Sequence, residues 1–172
     1  MIVDVHTHVP TYRDSVPPGS EVWNKVFRPD KAVRVTYTFQ DYLEAMKPVD
    51  RAIVFGIAPS PYRDGTHALG DTEYNVNVND QTAALVALAP HKLIGFMSVH
   101  PDDASVMDEI ERCVCDLKLR GIKLGPNYQY FDPLGPAARR VYGRAQELGL
   151  PILFHQGTSG VRDAPCATPT RW

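Results

Sequence analysis

The chain opens with Met1-Ile-Val-Asp4-Val-His6-Thr-His8, a β-branched run that carries two histidines two positions apart. Successive side chains of a strand point to opposite faces, so the imidazoles of His6 and His8 should share a face and be able to bind one ion. Neutral imidazole is the commonest side-chain metal ligand, and catalytic Zn²⁺ typically takes three protein ligands and one water. Asp4 has the same parity and is expected one step deeper. The spacing also suits a strand with no chemical role, so the motif alone leaves both interpretations open.

The composition is that of an ordinary globular protein. The chain has 172 residues, of which 44% are hydrophobic and 22% charged, with a formal net charge of −2. We expect one domain over residues 1–172, and no nucleic-acid partner because lysine and arginine form no basic stripe. No apolar run approaches the roughly 20 residues of a membrane span, so no membrane association is expected. The three cysteines, two of them at helical positions 113 and 115 that face apart, predict reduced thiols and a cytoplasmic location.

Short apolar runs alternate with amphipathic segments along the chain. The runs predict five strands, at residues 2–6, 51–57, 93–99, 121–124 and 151–155. The intervening segments predict helices at residues 39–46, 75–89, 106–117 and 136–148. Thr38 and Asp41 have capping-box spacing before the first helix, and Gly149 is expected to end the last one. This alternation predicts a parallel sheet with right-handed crossovers.

Two architectures fit this order, an open doubly wound sheet and a (β/α)₈ barrel, and the polar residues favour the barrel. His6, His8, His100, Lys123 and His155 all fall at or near the carboxyl ends of different strands. In a barrel those ends surround one pocket, whereas an open sheet spreads them along a line. The expected fold is therefore α/β, a partial (β/α)₈ TIM-type barrel with parallel strands one to five and intervening helices.

Three motifs, in this order, resemble those of the amidohydrolase-related metal-dependent hydrolases. They are Asp4-Val-His6-Thr-His8, Gly121-Ile-Lys123-Leu-Gly-Pro-Asn-Tyr-Gln-Tyr-Phe-Asp-Pro133, and Pro151-Ile-Leu-Phe-His155-Gln-Gly157-Thr. More narrowly, they are similar to the branch that includes aminocarboxymuconate semialdehyde decarboxylase. The resemblance runs from Ile2 to about Pro165.

The resemblance implies a divalent metal ion, with Zn²⁺ as the expected metal, bound by His6, His8 and His155. That family also uses an aspartate after strand eight as a ligand and acid or base. No aspartate here matches it, Asp163 included, so the catalytic residue is left unassigned by this route. A barrel of about 250 residues uses about 31 per unit, so strands six to eight would need roughly 90 more residues. We expect the amino-terminal portion of a barrel, with open sheet edges that favour self-association.

Four further residues are candidates for the pocket. In binuclear relatives of the family a carbamylated lysine on strand four bridges two metals, which makes Lys123 the candidate catalytic residue. The alternatives for Lys123 are a charge partner for Asp4 or a clamp for a substrate carboxylate. Trp23, in a long loop that would close over the substrate, His100 and Asn127, each just after a strand, are the candidates for substrate binding. For His100 the alternative is a plain turn histidine.

The expected function is that of a metal-dependent hydrolase of the amidohydrolase type. A metal-activated water would attack the carbonyl, amide or lactone group of a small-molecule substrate. The first alternative is a non-oxidative decarboxylase of the same family, in which the metal stabilises the charge that develops as CO₂ leaves. The second is a catalytically incomplete barrel fragment that binds metal without turnover.

Overall fold

The computed structural model describes residues 1–16, 18, 36–61 and 77–156 of the chain. Its strands are β1 (Val3–His8), β2 (Arg51–Phe55), β3 (Leu93–Gly95), β4 (Met97–Ser98), β5 (Ile122–Leu124) and β6 (Ile152–Phe154). Its helices are α1 (Phe39–Ala45), α2 (Val78–Leu88), α3 (Val106–Cys115), α4 (Pro126–Gln129) and α5 (Pro136–Glu147). The predicted alternation of strands and helices is confirmed, and α4 is an addition to it.

Every strand pairing in the described ranges is parallel, and neighbours in space follow their order along the chain. β1 pairs with β2 and β2 with β3, while β4 pairs with β5 and β5 with β6. A doubly wound sheet reverses its strand order at a switch point, and these sheets do not. Sequential parallel order with intervening helices is the order of a (β/α)₈ barrel, so the predicted partial barrel is confirmed.

The predicted third strand divides into β3 and β4 at Phe96. On one side of this residue the chain pairs with β2, and on the other it pairs with β5. The Phe96 N–H donates to the Val54 carbonyl at 2.9 Å, and the Met97 N–H donates to the Gly121 carbonyl at 2.8 Å. The backbone therefore passes from one ladder to the next within one residue, and the two sheets form a continuous parallel array.

Helices pack on one face of this array, and the buried contacts between them and the strands form two apolar clusters. The first cluster, on β2 and β3, contains Phe39, Tyr42, Ala52, Val54, Leu85, Ala89 and Leu93. The second, on β4 and β5, contains Met97, Val99, Val106, Ile110, Cys113, Leu119, Ile122, Leu124, Phe131, Ala138, Val141 and Ala145. Because alternate strand residues point to the other face, Phe55 and Lys123 lie on the inner side of the array.

Helix ends follow the signals in the sequence. The Thr38 hydroxyl accepts the Asp41 N–H at 3.1 Å, and the Asp41 carboxylate accepts the Thr38 N–H at 3.2 Å, which confirms the capping box. Gly149 follows α5 with a φ of 64°. The Leu150 N–H donates back to the Ala145 carbonyl at 2.8 Å, the long bond of a Schellman motif. Gly149 therefore ends the helix as predicted.

Two expectations from the composition concern the helices. Cys113 is buried and Cys115 is exposed, and both are free thiols, as their spacing of two positions predicts. Among the helices in the described ranges, none is long and apolar enough to cross a membrane.

The outer strands of the array are β1 and β6. Three apolar side chains at the start of the chain face solvent, with Ile2 60%, Val3 42% and Val5 54% exposed. An exposed apolar edge of this kind favours pairing with another chain, which suits the expected self-association. Self-association stays a prediction.

A polar network joins α2 to α3 beside β4. The Asn79 side chain donates to the Ser98 carbonyl at 3.1 Å and accepts the Ser98 N–H at 2.8 Å. It also donates to the Glu109 carboxylate at 2.7 Å, which receives two further bonds from Arg112 at 2.8 and 2.9 Å. Burial raises the pKa of Glu109, but hydrogen bonds from Arg112, Asn79 and Asn77 outweigh it and lower the pKa to about 2.

We predict that Glu109→Gln lowers the free energy of unfolding at pH 7 by roughly 1–3 kcal/mol, because Arg112 and Asn79 lose a charged acceptor. The depressed pKa also sets a pH dependence. The carboxylate contributes its full stability above about pH 4.5, its ordinary pKa, and loses it as the pH falls towards about 2. Urea unfolding at pH 7 and pH 3 measures both effects, and the variant should lose less stability than the wild type between these two values.

The matched control is Glu111→Gln on the same helix. Glu111 pairs with Arg144 in a more exposed setting, with its side chain 43% exposed against 20% for Glu109. Solvent screens that pair, so its loss should be much smaller. Equal losses for the two variants would contradict a special role for Glu109.

Candidate metal centre

The two histidines of β1 stand together on the inner side of the array. Both are reached by solvent, and their ring centroids lie 5.3 Å apart at an angle of 53°. Thr7, between them, is buried on the opposite side, where its hydroxyl lies 2.6 Å from the Tyr42 hydroxyl of α1. This anchor turns His6 and His8 towards the same space, as the spacing of two predicts.

The separation of the two rings suits ligation of one ion. Two imidazoles that bind a tetrahedral Zn²⁺ at about 2.0–2.1 Å have ring centroids roughly 5 Å apart. The strand ladder shifts by one residue between Asp4 and Thr7, so simple alternation does not extend from His6 back to Asp4. The Asp4 carboxylate instead accepts the His6 N–H at 3.0 Å.

Phe55, at the end of β2, forms the wall behind the histidines. Its ring is fully buried and meets His6 and His8 edge-on, at centroid distances of 5.2 and 4.8 Å. The ammonium of Lys123 lies 5.1 Å from the centroid of the same ring. Sequence reasoning missed Phe55, because an aromatic residue in an apolar strand carries no signal beyond that of the core.

Lys123 lies in the middle of β5 and is fully buried. Within the described residues its ammonium has no hydrogen-bond partner. No hydrogen bond joins this ammonium to Asp4, so the structure gives no support to the alternative in which Lys123 is the charge partner of Asp4. Burial lowers the pKa of Lys123 to about 8.

His155 follows β6 directly and continues its ladder. The His155 N–H donates to the Leu124 carbonyl at 2.8 Å, and its ring meets that of Tyr128 edge-on at 5.0 Å between centroids. Gly125 makes this contact possible, because a Cβ at that position would collide with the Tyr128 ring. The turn after β5 thus holds an aromatic side chain against the histidine of the next strand.

Burial and neighbouring basic side chains lower the pKa of both histidines of β1. The pKa of His8 is lowered to about 4, chiefly by burial and then by His6, Lys123 and His155. The pKa of His6 is lowered by burial, Lys123 and His155, against an opposing effect of Asp4. Solvent reaches both rings, but the lowered pKa values favour their neutral forms at pH 7. Neutral imidazole is the form that binds a metal ion.

The side chains of the three histidines are of the type that binds a divalent ion, but the structure does not bring all three together as ligands. The rings of His6 and His8 are spaced as ligands of one ion, and His155 contributes to the lowered pKa of both. No three histidine, cysteine or carboxylate side chains in the described parts of the chain are arranged as one set of ligands. Ligation by all three histidines therefore stays a prediction.

His100 is buried under the turn that follows β5. The Asp102 N–H donates to its Nδ1 at 3.2 Å, so Nε2 carries the proton and donates to the Gln129 carbonyl at 2.7 Å. An edge-on contact with Phe131 completes its surroundings. Both ring nitrogens thus serve the backbone, which favours the turn-histidine alternative, and substrate contact by His100 stays a prediction.

Gln129 is a second residue that sequence reasoning missed. Its side-chain oxygen accepts the Gly125 N–H at 2.7 Å, and its nitrogen donates to the carbonyls of Ala58 and Val99, both at 3.1 Å. These three backbone groups follow β2, β4 and β5, so one buried amide joins three neighbouring strand ends. Asn127, predicted to bind substrate, is buried in the same short helix α4. Trp23, the other candidate, lies outside the described residues.

Comparison with solved structures finds similar folds in several enzymes. The 4-oxalomesaconate hydratase of Rhodopseudomonas palustris is 20% identical with a TM-score of 0.55, over 90% of this chain and 52% of that one. The 5-carboxyvanillate decarboxylase of Novosphingobium aromaticivorans, solved with bound manganese, is 17% identical with a TM-score of 0.60, over 92% and 51%. The 2,6-dihydroxybenzoate decarboxylase of Rhizobium is 22% identical with a TM-score of 0.55, over 92% and 50%.

These structures establish the fold, and the chain spans about half of their length. No curated protein matches the chain. The sequence profile of the amidohydrolase family matches residues 3–171, which is nearly the whole chain. With its parallel barrel strands and the histidine pair at the end of β1, the chain belongs to the amidohydrolase family.

Proposed function

We propose that the chain binds a divalent metal ion through His6, His8 and His155 and takes part in a metal-dependent reaction on a small organic molecule. The observation that carries the proposal is the pair of neutral imidazoles at 5.3 Å on the inner side of β1. We assign His155 as the third ligand because it directly follows the last described strand and contributes to the lowered pKa of both histidines. Zn²⁺ is the first expectation, and the manganese in the carboxyvanillate decarboxylase supports Mn²⁺ as an alternative.

Hydrolysis is the first candidate reaction. A bound ion of this kind lowers the pKa of a coordinated water towards neutrality and polarises a carbonyl group. The residues of this chain would hold the ion on an accessible rim, since solvent reaches His6 and His8, while the Phe55 ring excludes water behind them. The catalytic acid or base is not among the residues that we assign.

Decarboxylation is the second candidate, and the comparisons favour it equally. Two of the three enzymes described above are decarboxylases of aromatic acids, and the third is a hydratase. The fully buried ammonium of Lys123 near the histidines also suits a substrate that carries a carboxylate. Lys123 is accordingly the residue of this chain that we propose to act beside the metal ligands.

We predict that the purified chain binds Zn²⁺ and that His6→Ala, His8→Ala and His155→Ala each weaken binding by about a hundredfold or more. Each variant removes one of three nitrogen donors, and even outer-sphere partners of a metal site change affinity by about 10–100-fold. Competition with a chromophoric chelator measures the affinity, and metal analysis after dialysis gives the stoichiometry.

The matched control is His91→Ala, which removes an exposed histidine before β3 and should leave Zn²⁺ binding unchanged. Unchanged affinity in His155→Ala, beside a loss in His6→Ala, would show that the third ligand comes from elsewhere. Unchanged affinity in all three variants would refute the site.

A second prediction concerns the reaction itself. The chain loaded with Zn²⁺ or Mn²⁺ should convert either small lactones and esters, with release of acid, or hydroxybenzoates, with release of CO₂. A pH-stat records the first reaction and trapping of ¹³CO₂ from carboxyl-labelled substrate records the second, each against His6→Ala as the inactive control. Metal binding without either product would instead establish the catalytically incomplete barrel fragment.

A further inference from the structure

Lys123 carries a buried ammonium for which the described part of the chain supplies no hydrogen-bond partner. Its side chain is fully buried, and no described residue accepts a hydrogen bond from its ammonium. A buried charge is normally paired, because removal from water is unfavourable without a compensating partner. The face of the Phe55 ring, 5.1 Å from the ammonium, offers some attraction but no hydrogen-bond acceptor.

The position of Lys123 in β5 directs its ammonium to the inner side of the array. Its neighbours Ile122 and Leu124 belong to the apolar cluster beneath α3 and α5, so Lys123 points the opposite way. There it shares the Phe55 ring with His6 and His8, whose edges meet the same aromatic system. The ammonium and the two imidazoles are therefore grouped around one aromatic ring.

We propose that Lys123 is the specificity-determining residue of this site and that its ammonium binds a carboxylate group of a small organic acid. This inference rests on the proposed function, because it names the class of substrate taken by the same site. A carboxylate supplies the acceptor oxygens and the negative charge that the ammonium lacks, and charge-assisted bonds of this kind are the strong ones.

The inference predicts discrimination between an acid and its neutral amide. An amide of the same shape leaves the buried charge unbalanced, and sites built for a charged group reject the neutral analogue for that reason. Asp4 does not satisfy the ammonium instead, since its carboxylate accepts the His6 N–H. A carboxylate from a part of the chain outside the described residues is the competing partner, and its presence would abolish the discrimination.

The test compares benzoate with benzamide on the full chain by isothermal titration, in the presence of a chelator and again with Zn²⁺. The wild type should bind benzoate about tenfold or more tightly than benzamide under both conditions. Lys123→Met, which keeps most of the length of the side chain and removes its charge, should abolish the preference in the presence of the chelator, where no ion can bind the carboxylate. Lys47→Met removes an exposed lysine, with its side chain 69% exposed, and should leave the preference intact.

In the presence of the chelator, equal affinity of the wild type for the two ligands would overturn the inference, and so would a preference that survives in Lys123→Met. If Lys123→Met fails to fold, Lys123→Arg is used instead, because it keeps a positive charge at this position. This variant should keep the preference for benzoate, and its loss would count against the inference. Zn²⁺ binding is measured on the same samples. Zn²⁺ bound without any preference for benzoate leaves the proposed metal site standing, whereas the preference without Zn²⁺ removes the metal site and leaves the acid-binding residue.

Discussion

The contact of one buried ring with three basic groups organises the inner face of this partial barrel. Phe55 lies between β1 and β5, with both imidazoles of β1 in edge-on contact with its ring and the ammonium of Lys123 over it. The electron-rich face of an aromatic ring attracts cations, while its edge suits other rings. A smaller apolar residue would leave a cavity here, and the rings that the site depends on would lose the surface that fixes their orientation.

Polar side chains complete the backbone pairing where these short strands end. Asn79 pairs with both backbone groups of Ser98, and Gln129 joins the chain after β2, β4 and β5. Buried backbone groups need partners, so a strand that changes its neighbour at Phe96 requires such substitutes. The two amides therefore supply partners to backbone groups at the strand ends, and Gln129 also fixes the turn that sets Tyr128 against His155.

Much of the fold could be predicted from the sequence because its signals are local. Apolar runs, the capping box of Thr38 and the stop at Gly149 depend on a few neighbouring residues and appear where predicted. The shift in the ladder after Asp4 and the division at Phe96 depend on which strands meet, which periodicity does not encode. For the candidate site, the spacing of His6 and His8 predicts that their rings lie close together, as they do. The contacts of Phe55 and Gln129 join distant segments, which no local pattern predicts.

The charges on the inner face explain why the site needs an acidic component. Its described groups are a buried ammonium and imidazoles whose protonation is opposed by burial and by one another. A divalent ion bound there, as we propose, would add positive charge, which neutral imidazoles would accept but the ammonium of Lys123 would oppose. The charge of Asp4 raises the pKa of His6, but the Asp4 carboxylate already accepts a hydrogen bond from the His6 backbone N–H. Under the proposed function, the substrate would bring the missing negative charge, and a carboxylate between the ion and Lys123 would reconcile the two cations.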